Sequence, residues 1–259
     1  MMRVIKIGGR VLRDPNLAQA LDHLWFHAPG TFCVVHGAGE TISALQTQLG
    51  GAPRFVQGRR ITTEADIQVL RMALSGVANK QLVASLSAKG LPAVGISGED
   101  GSLLVARPMD AAVLGRVGEV AEVNDAVLRT LLAGGFLPVI SPVARDGDAG
   151  SAHTANSGAL NVNADDAAAA IAASLQAEEL LLISDVRGVM LGGVAAPSLR
   201  AEDAIHAIES GIATGGMATK LRAALDALGR GVPQVRIGAL DSLLVPTLGT
   251  TLVAASQAV

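Results

Sequence analysis

Four polar side chains, Asn161, Asn163, Asp165 and Asp166, lie within six residues and directly precede an alanine-rich run at residues 167–173. Alanine favours helix, and an acidic residue in the first turn suits the helix dipole, so helix capping explains Asp165 or Asp166. Capping does not explain two asparagines. Alternate residues of an extended segment point the same way, so we expect both amides to face one site. The stretch therefore predicts a helix start, a polar binding site, or both.

Two glycine-rich turns follow predicted strands near the start of the chain. The first reads Lys-Ile-Gly-Gly at residues 6–9, and the second reads His-Gly-Ala-Gly at residues 36–39. Backbone N–H groups of such turns bind anions, and a buried lysine such as Lys6 is costly unless its ammonium meets an anion or water. Each turn taken singly is equally compatible with an ordinary connection, and His36 with a turn-orienting role as well as with acid or base catalysis.

Three further segments carry side chains that suit ligand binding. Arg59 and Arg60 are adjacent, and a guanidinium can bind a carboxylate bidentately, so one of them could hold an acidic substrate. The alternative is that both are solvated surface arginines. Asp185 follows a predicted strand, where its carboxylate could contact a ribose or an ammonium group. The alternative is that it forms an ordinary turn. Lys220 follows a glycine-rich segment in the predicted first turn of a helix. A cation there opposes the helix dipole, so we expect an anionic ligand.

The composition limits the class of protein. The 259 residues are 50% hydrophobic, enough for a large core in one domain or two lobes. Aromatic residues are only 2%, so the core must be aliphatic, which suits helices packed on a parallel sheet. The net charge of −3 implies no general affinity for nucleic acid or an anionic membrane. Charged residues interrupt the N-terminal segment and every long apolar run, so we expect no signal peptide, no membrane span and a cytoplasmic location.

Short apolar runs alternate with helix-like segments. The predicted strands are residues 4–7, 31–35, 93–96, 136–140, 180–184 and 235–238. The predicted helices are residues 17–26, 41–49, 64–88, 123–133, 166–175, 201–208 and 218–228. This alternation indicates an α/β fold with a mainly parallel sheet, which binds ligands at the carboxyl ends of its strands. The absence of any Gly-Lys pair excludes a Walker A loop, and Ile42 stands where a dinucleotide-binding fingerprint needs glycine.

In order and spacing, these segments resemble the motifs of the amino acid kinase family. Within that family the chain is most similar to the members that act on N-acetyl-L-glutamate, and the resemblance covers nearly the whole chain. The matching segments are residues 6–9, 36–39, 58–62 (Gly-Arg-Arg-Ile-Thr), 78–80 (Ala-Asn-Lys), 161–165, 184–188 (Ser-Asp-Val-Arg-Gly) and 215–220 (Gly-Gly-Met-Ala-Thr-Lys).

The resemblance implies a fold and an activity. The fold is a single three-layer α/β/α sandwich of the carbamate kinase-like type. Its N-terminal lobe, residues 1–176, binds the acceptor and forms a homodimer, and its C-terminal lobe, residues 177–259, binds ATP. The activity is transfer of the γ-phosphoryl group of ATP to the side-chain carboxylate of N-acetyl-L-glutamate. The product is N-acetyl-L-glutamyl 5-phosphate, in arginine biosynthesis.

The resemblance also implies roles for single residues. Lys6 and Lys220 match the two catalytic lysines of the family, and Asp165 matches the aspartate that positions them. The residues that match the acceptor site are Gly37, Ala38, Arg60 and Asn161. The residues that match the ATP site are Gly8, Gly9, Ser184, Asp185, Gly215, Gly216 and Met217. No protein residue is expected to bind a metal, because Mg²⁺ is held mainly by the phosphates.

The chemistry of a carboxylate acceptor agrees with these roles. Such a carboxylate is already deprotonated near neutral pH, so no general base is required. Phosphoryl transfer then needs positioning and neutralisation of charge. We therefore expect Asp165 to organise the lysines and not to accept a proton.

Two features depart from the family pattern. The family usually has three consecutive glycines after the histidine, and here Ala38 takes the middle place. Its methyl group is expected to affect the acceptor pocket or the backbone of the loop. In addition, the chain begins almost directly at its first predicted strand, whereas the arginine-inhibited members carry a further N-terminal helix. The resemblance therefore leads us to expect a dimer without that form of feedback.

Other functions stay open at the level of sequence. One is a sibling kinase for N-succinylglutamate, or for aminoadipate or glutamate on an acidic carrier protein. A carrier would need a basic docking surface, for which only Arg54, Arg59 and Arg60 are near. A non-catalytic ligand sensor on the same fold should have lost a lysine or Asp165. A dinucleotide-dependent oxidoreductase is disfavoured by Ile42.

Overall fold

The structure, a computed structural model, describes residues 1–148, 158–191 and 193–253. The strands are β1 (Arg3–Ile7), β2 (Phe32–His36), β3 (Phe55–Val56), β4 (Arg59–Arg60), β5 (Ala93–Ser97), β6 (Leu104–Pro108), β7 (Val117–Val123), β8 (Leu137–Ser141), β9 (Val143–Asp146), β10 (Ala159–Val162), β11 (Glu179–Ile183), β12 (Met190–Leu191), β13 (Val194–Ala195), β14 (Ser198–Arg200), β15 (Gln234–Gly238) and β16 (Thr250–Val253).

The α-helices are α1 (Leu17–His27), α2 (Gly39–Gln48), α3 (Glu64–Leu70), α4 (Asn79–Ser87), α5 (Ala111–Leu114), α6 (Ala126–Ala133), α7 (Ala164–Ser174), α8 (Ala201–Glu209) and α9 (Gly215–Gly229). A π-helical segment, Arg71–Ala78, joins α3 to α4. Short 3₁₀ turns lie at Val11–Arg13, Asp100–Ser102 and Leu240–Leu243. Among these described helices, none has both the length and the apolar character that a membrane span requires.

An eight-stranded sheet forms the centre of the molecule, in the order β14-β16-β15-β11-β1-β2-β8-β5. Its neighbouring strands pair in parallel, except for β15 with β16. Helices α7 and α9 contact one face, and α1 and α4 pack with the residues of the other face. The predicted α/β/α architecture with a mainly parallel sheet is therefore confirmed.

Side chains of β1 alternate between the two faces of this sheet. Val4 belongs to the core cluster that includes α7 and α9, whereas Ile5 and Ile7 belong to the cluster that includes α1. Lys6 therefore points towards the face that α7 covers. Because β1 has neighbours on both sides, Lys6 is almost fully buried, with 6% of its surface exposed.

Three smaller assemblies complete the described structure: a barrel, the antiparallel pair β12 and β13, and the hairpin of β3 and β4. Strands β10, β7, β6 and β9 close into a barrel, which carries Asn161 on β10. Strands β3 and β4 form a two-stranded antiparallel hairpin. Its two turn residues, Gln57 and Gly58, have φ angles of 48° and 79°. Two positive values in succession are typical of the tight type I′ turn that matches the twist of a hairpin.

The sequence predictions for these elements are mostly confirmed. The six predicted strands all belong to the main sheet, and the predicted helix at residues 64–88 is the continuous segment from α3 to α4. Two predicted helix starts are wrong. Helix α6 begins at Ala126 because Val123 ends β7, and α9 begins at Gly215, before the predicted residue 218. The barrel, the edge strand β14 and its neighbour β16 were not predicted.

Candidate active site

A buried cluster of two lysines and one aspartate lies where β1, α7 and α9 meet. Lys6 Nζ is 2.8 Å from Asp165 Oδ1, and Lys220 Nζ is 3.2 Å from Asp165 Oδ2. The three side chains are nearly buried, with exposed fractions of 8%, 7% and 12% for Lys6, Asp165 and Lys220. One carboxylate faces two ammonium groups, so the cluster carries an excess positive charge that suits an anionic ligand.

Electrostatics within the cluster shift two pKa values. Burial alone would raise the pKa of Asp165, but the positive charges of Lys6 and Lys220 outweigh it, and the pKa lies below its ordinary value. Burial, with the repulsion of Lys6, lowers the pKa of Lys220 to about 8, although Asp165 acts in the opposite direction. Asp165 is thus held as a carboxylate, and Lys220 is still mainly an ammonium at neutral pH.

Helix α7 begins with an asparagine cap that leaves Asp165 available to the lysines. The Asn163 side chain accepts a hydrogen bond of 2.8 Å from the Asp165 backbone N–H. Capping by Asp165 or Asp166, the alternative drawn from the sequence, is therefore wrong, because the asparagine has this role. Lys220, in turn, lies beyond the first turn of α9, so its charge is balanced mainly by Asp165 and less affected by the helix dipole than predicted.

A cavity of about 180 Å³, which we name the Arg60 cavity, opens beside the start of α7. It is lined by the second glycine-rich turn, the β3–β4 hairpin, the barrel and the residues before Asp165. The lining includes Gly37, Ala38, Gly39, Ile42, Arg59, Arg60, Val117, Asn161, Asn163 and Ala164. Asn161 and Asn163 therefore line one cavity, as the alternation of side chains predicts. Asn161 Nδ2 donates to Thr62 Oγ1 at 2.9 Å, which fixes its amide within the wall.

Arg60 is a buried cation without a carboxylate partner among the described residues. Its Nη1 donates to Gln46 Oε1 at 2.8 Å, and its Nη2 donates to Gly39 O at 3.0 Å and to Ser43 Oγ at 2.7 Å. Its guanidinium carbon lies 4.7 Å from the centre of the Phe55 ring. These neutral partners orient the guanidinium, and the nearby Asp66 carboxylate acts on its charge without a direct ion pair, so an anion in the Arg60 cavity would find a pre-organised partner. The alternative of a solvated surface arginine is wrong for Arg60.

The two glycine-rich turns touch each other and the strand next to β1. A methyl group at Gly8 would lie 3.2 Å from Ile183 O, and one at Gly9 would lie 3.4 Å from Gly39 N. Ala38 has a φ angle of −150°, which alanine adopts without strain, and its methyl group is buried beside Ile42. The backbone of this loop therefore does not require a third glycine.

His36, which begins the second turn, is fully buried. Burial lowers the pKa of its ring to about 4, so the ring is neutral. Asn79 Nδ2 lies 3.0 Å from Nε2 of this ring and 2.9 Å from Val139 O, and donates to both. His36 is thus held by a second buried polar side chain behind the turn.

A second cavity, of about 450 Å³, lies at the ends of β11 and β15, and we name it the Ser184 cavity. Ser184 Oγ is buried and has no hydrogen-bond partner within the described structure. Asp185 pairs with Arg10, whose Nη1 lies 2.6 Å from Asp185 Oδ2 and whose Nε lies 3.0 Å from Glu40 Oε1. This arrangement pairs Asp185 with a cation and leaves a buried hydroxyl free for a ligand.

The backbone at the start of α9 is not crowded by other parts of the described chain. Gly215 has a φ angle of 52°, and added methyl groups at Gly215 and Gly216 would meet nothing within 4 Å. Thr214 precedes them without a side-chain hydrogen bond to the helix. Met217 is half-buried and packs against the core cluster beneath. The N–H groups of Met217 and Ala218 donate to Thr214 O, so the N–H groups left to meet an anion are those of Gly215 and Gly216.

These positions agree with a match to known proteins. The model of the amino acid kinase family matches residues 1–239 of this chain. The chain belongs to the amino acid kinase family. Its members transfer phosphoryl groups, so the protein is a kinase.

Individual members of the family match over most of their length. Acetylglutamate kinase of Geobacillus kaustophilus is 42% identical over 235 residues, which are 90% of this chain and 88% of that protein. Acetylglutamate kinase of Methanopyrus kandleri is 40% identical over 255 residues, 94% of this chain and 97% of that protein.

Solved structures show the same fold. The smu.665 protein of Streptococcus mutans superposes with a TM-score of 0.85 and 26% identity, over 98% of this chain and 99% of that chain. Carbamate kinase from Giardia lamblia bound to AMP-PNP superposes with a TM-score of 0.73 and 15% identity, over 98% of both chains. At 15% identity the likeness concerns the fold alone.

The predicted residues of this kinase thus lie in the lysine cluster, in the Arg60 cavity, and, for Ser184 and Asp185, at the Ser184 cavity. The other predicted ATP residues, at the first glycine-rich turn and the start of α9, line neither cavity. Sequence reasoning gave no role to Gln46 and Ser43. Their hydrogen bonds to Arg60 join separate segments, and such contacts produce no regular spacing in the sequence. It also left the pairing of Arg10 with Asp185 unseen, since 175 residues separate them.

Proposed function

We propose that this kinase transfers the γ-phosphoryl group of ATP to the side-chain carboxylate of N-acetyl-L-glutamate. The observation that carries the proposal is the cluster of Lys6, Asp165 and Lys220, whose aspartate adjoins the cavity in which Arg60 lacks an anionic partner. Relatives named acetylglutamate kinase at about 40% identity support the acceptor. The product would be N-acetyl-L-glutamyl 5-phosphate, an intermediate of arginine biosynthesis.

The reaction needs no proton acceptor. An oxygen of the acceptor carboxylate forms a bond to the γ-phosphorus as the bond to the β,γ-bridging oxygen breaks, and ADP leaves with that electron pair. The acceptor carboxylate is already ionised near neutral pH. Catalysis therefore consists of alignment and of charge neutralisation, which we assign to Lys6 and Lys220. Asp165 holds both ammonium groups through charge-assisted hydrogen bonds.

The acceptor and the nucleotide are assigned to different cavities. Arg60 and Asn161, with the turn at Gly37 and Ala38, would hold the acyl-amino acid in the Arg60 cavity. The residues assigned to ATP are Gly8, Gly9, Ser184, Asp185, Gly215, Gly216 and Met217. The Gly8 N–H already donates to Ile183 O, so phosphate binding on that side is supported by the uncrowded start of α9 and by the unpartnered Ser184 hydroxyl.

Mg²⁺ fits this site when the phosphates supply most of its ligands. The ion keeps several waters and binds through few carboxylates, and when bound it would neutralise phosphate charge. Within the described residues, no group of three or more His, Cys, Asp or Glu side chains is placed to hold a metal. Asp165 is committed to the lysines and Asp185 to Arg10.

We assign residues 1–176 to the acceptor lobe and residues 177–259 to the nucleotide lobe, with a homodimer formed through the first. Exposed Met72 and Val77 on the π-helical segment, with 47% and 44% of their surfaces accessible, support an interface there. Light scattering of wild type and of Met72→Glu tests it, and a monomeric wild type would refute the homodimer. A cytoplasmic location follows from the proposed pathway.

A coupled assay of ADP release tests the acceptor directly. N-acetylglutamate, N-succinylglutamate and free glutamate are compared as substrates at equal concentration. We expect turnover with the acetyl compound above both others, and loss of about 100-fold or more in Lys6→Ala, because that change removes a preorganised charge. Preference for the succinyl compound, or near-wild-type turnover of Lys6→Ala, would overturn the proposal. Absence of turnover with all three would favour a carrier-bound acceptor, although Arg59 is already paired with Asp166.

A further inference from the structure

The β3–β4 hairpin has no ladder pairing with the main sheet or the barrel. A two-stranded hairpin is marginally stable by itself in water, so its place depends on its surroundings. Just after β4, the Thr62 backbone is hydrogen-bonded to Leu114 and Arg116, and contacts with helices hold the rest of the hairpin. Arg59 and Arg60 are successive residues of β4 and point to opposite sides of it. Arg60 binds α2 through Ser43 and Gln46. The position of Arg60 therefore also depends on what holds the other side of the hairpin.

Arg59 holds that other side against α7. Its Nη2 donates to Asp166 Oδ2 at 2.8 Å, across 107 residues of sequence. At the tip of the hairpin, a methyl group at Gly58 would lie 3.3 Å from Thr219 Oγ1. Thr219 immediately precedes Lys220. The hairpin thus contacts α2, α7 and α9, the three helices that begin at the site.

The ion pair lies in a partly desolvated place. The side chains of Arg59 and Asp166 are each 24% exposed. Burial raises the pKa of Asp166, Arg59 lowers it, and the nearby carboxylates of Asp165 and Asp226 raise it further. Removal of Arg59 would leave a half-buried carboxylate beside two others, so the pair is expected to matter more than an exposed one.

We propose that Arg59 and Asp166 are positioning residues, whose ion pair fixes the distance between Arg60 on the hairpin and Asp165 on α7. Each partner is the direct sequence neighbour of one of those two residues. The inference rests on the proposed function, because only a transfer between a group held by Arg60 and one held by the lysine cluster requires that distance. Misplacement by about 1 Å can cost a large factor in rate.

A double-mutant cycle tests the pair, with Arg59→Ala, Asp166→Ala and both together. We expect the KM for N-acetylglutamate to rise about tenfold in either single variant and no further in the double variant, because contacting residues couple. The KM for ATP should change by less than about twofold, since the hairpin carries no residue assigned to ATP. Arg59→Lys keeps the charge and should recover part of the loss.

Arg129→Ala is the matched control. Arg129 of α6 pairs at 2.8 Å with Asp125, the residue before that helix, and donates to Ser174 O at the end of α7 that is remote from Asp165. We expect both KM values to stay at wild type. Unchanged acceptor KM in Arg59→Ala and Asp166→Ala, with only the melting temperature lowered, would overturn the inference, as would additive losses. If Arg59→Ala does not fold, Arg59→Lys decides, because its acceptor KM must then exceed that of wild type. A wild-type chain that does not use N-acetylglutamate refutes the proposed function instead.

Discussion

Lys220 Nζ lies 3.2 Å from Asp165 Oδ2, although 55 residues separate the two in the chain. Lys6 approaches the other oxygen of the same carboxylate. The aspartate thus touches both lysines and no hydroxyl or imidazole group in the described structure. A carboxylate held in this way is a poor proton acceptor. It is well placed to fix the positions of two ammonium groups, and this positioning is the role that we assign to it.

Asp165→Asn should lower kcat strongly and change the acceptor KM less, because the amide keeps the shape but holds the two ammonium groups weakly. Combined with Lys220→Ala, the losses should be far from additive, since residues that act as one unit lose their joint effect together. Steady-state kcat of the four proteins measures this. Fully additive losses would mean that Asp165 acts independently of Lys220, and the role of organiser would be wrong.

The alkaline side of the pH profile should report Lys220. Its pKa is lowered to about 8, so it carries its charge below that pH and loses it above. We therefore expect kcat/KM to fall as pH rises through about 8. Bound ATP favours the charged form, so the fall in kcat should come at higher pH. Lys220→Arg, if active, should show no such fall, and a kcat/KM that stays level well above pH 8 in wild type would contradict the assignment.

Arg60→Lys should raise the KM for N-acetylglutamate by about tenfold or more and lower kcat less. Lysine keeps the charge but lacks the paired N–H donors with which a guanidinium binds a carboxylate bidentately. The exposed Arg54, directly before the hairpin, provides the control Arg54→Lys, which should leave both KM values unchanged. If the ATP KM rises and the acceptor KM does not, Arg60 belongs to the other substrate.

Ser184→Ala should weaken ATP binding without destabilising the free protein. Its hydroxyl is buried and unpartnered, so its removal relieves a desolvation cost of about 1–3 kcal/mol in the free protein. We expect an equal or higher melting temperature and an ATP KM about tenfold higher, because a hydrogen bond to a phosphate is lost. Ser242→Ala removes another buried, unpartnered hydroxyl and should leave the ATP KM unchanged. A large loss of stability in Ser184→Ala would show that the hydroxyl serves the fold.

Ala38→Gly, which restores the usual glycine, should lower the free energy of unfolding by about 1 kcal/mol, because the unfolded chain gains freedom and a buried methyl group is lost. The φ angle of −150° gives glycine no advantage here. Chemical denaturation and acceptor kinetics measure the two effects. An unchanged stability with a markedly lower acceptor KM would mean that the methyl group obstructs the Arg60 cavity.

Apolar periodicity predicted the parts of this fold that are buried on both faces. The six strands found from sequence are continuous apolar runs, because a parallel sheet between helices admits few polar residues. The barrel strands were not predicted, because they are not continuous apolar runs. Strand β6 contains Arg107 and Pro108, and β7 contains Gly118 and two glutamates. The edge strand β14 has only three residues, too few for any pattern.

For the site, the family resemblance anticipated the contact of Asp165 with the two lysines, whereas the partners of the two arginines were not predicted. Two adjacent arginines gave no sign that Arg60 is buried among neutral groups and Arg59 is matched to Asp166. The register of the hairpin decides which arginine faces which helix, and that register depends on a turn whose sequence, Gln-Gly, is not distinctive. For the cap of α7 a local signal was present, because asparagine is a preferred N-cap residue and Asn163 directly precedes the helix, which leaves Asp165 to the lysines.

The central place of β1 has a consequence for how this chain acquires its structure. Arg3 of β1 pairs with Phe32 on one side and with Glu179 on the other. Until the segment that contains Glu179 is available, one edge of β1 keeps its backbone N–H and C=O groups unpaired and open to other chains. The N-terminal lobe alone should therefore aggregate when expressed without the remainder. Efficient folding should depend on how soon β11 pairs with β1. The unpaired edge of β1 is therefore a place where chaperones would act.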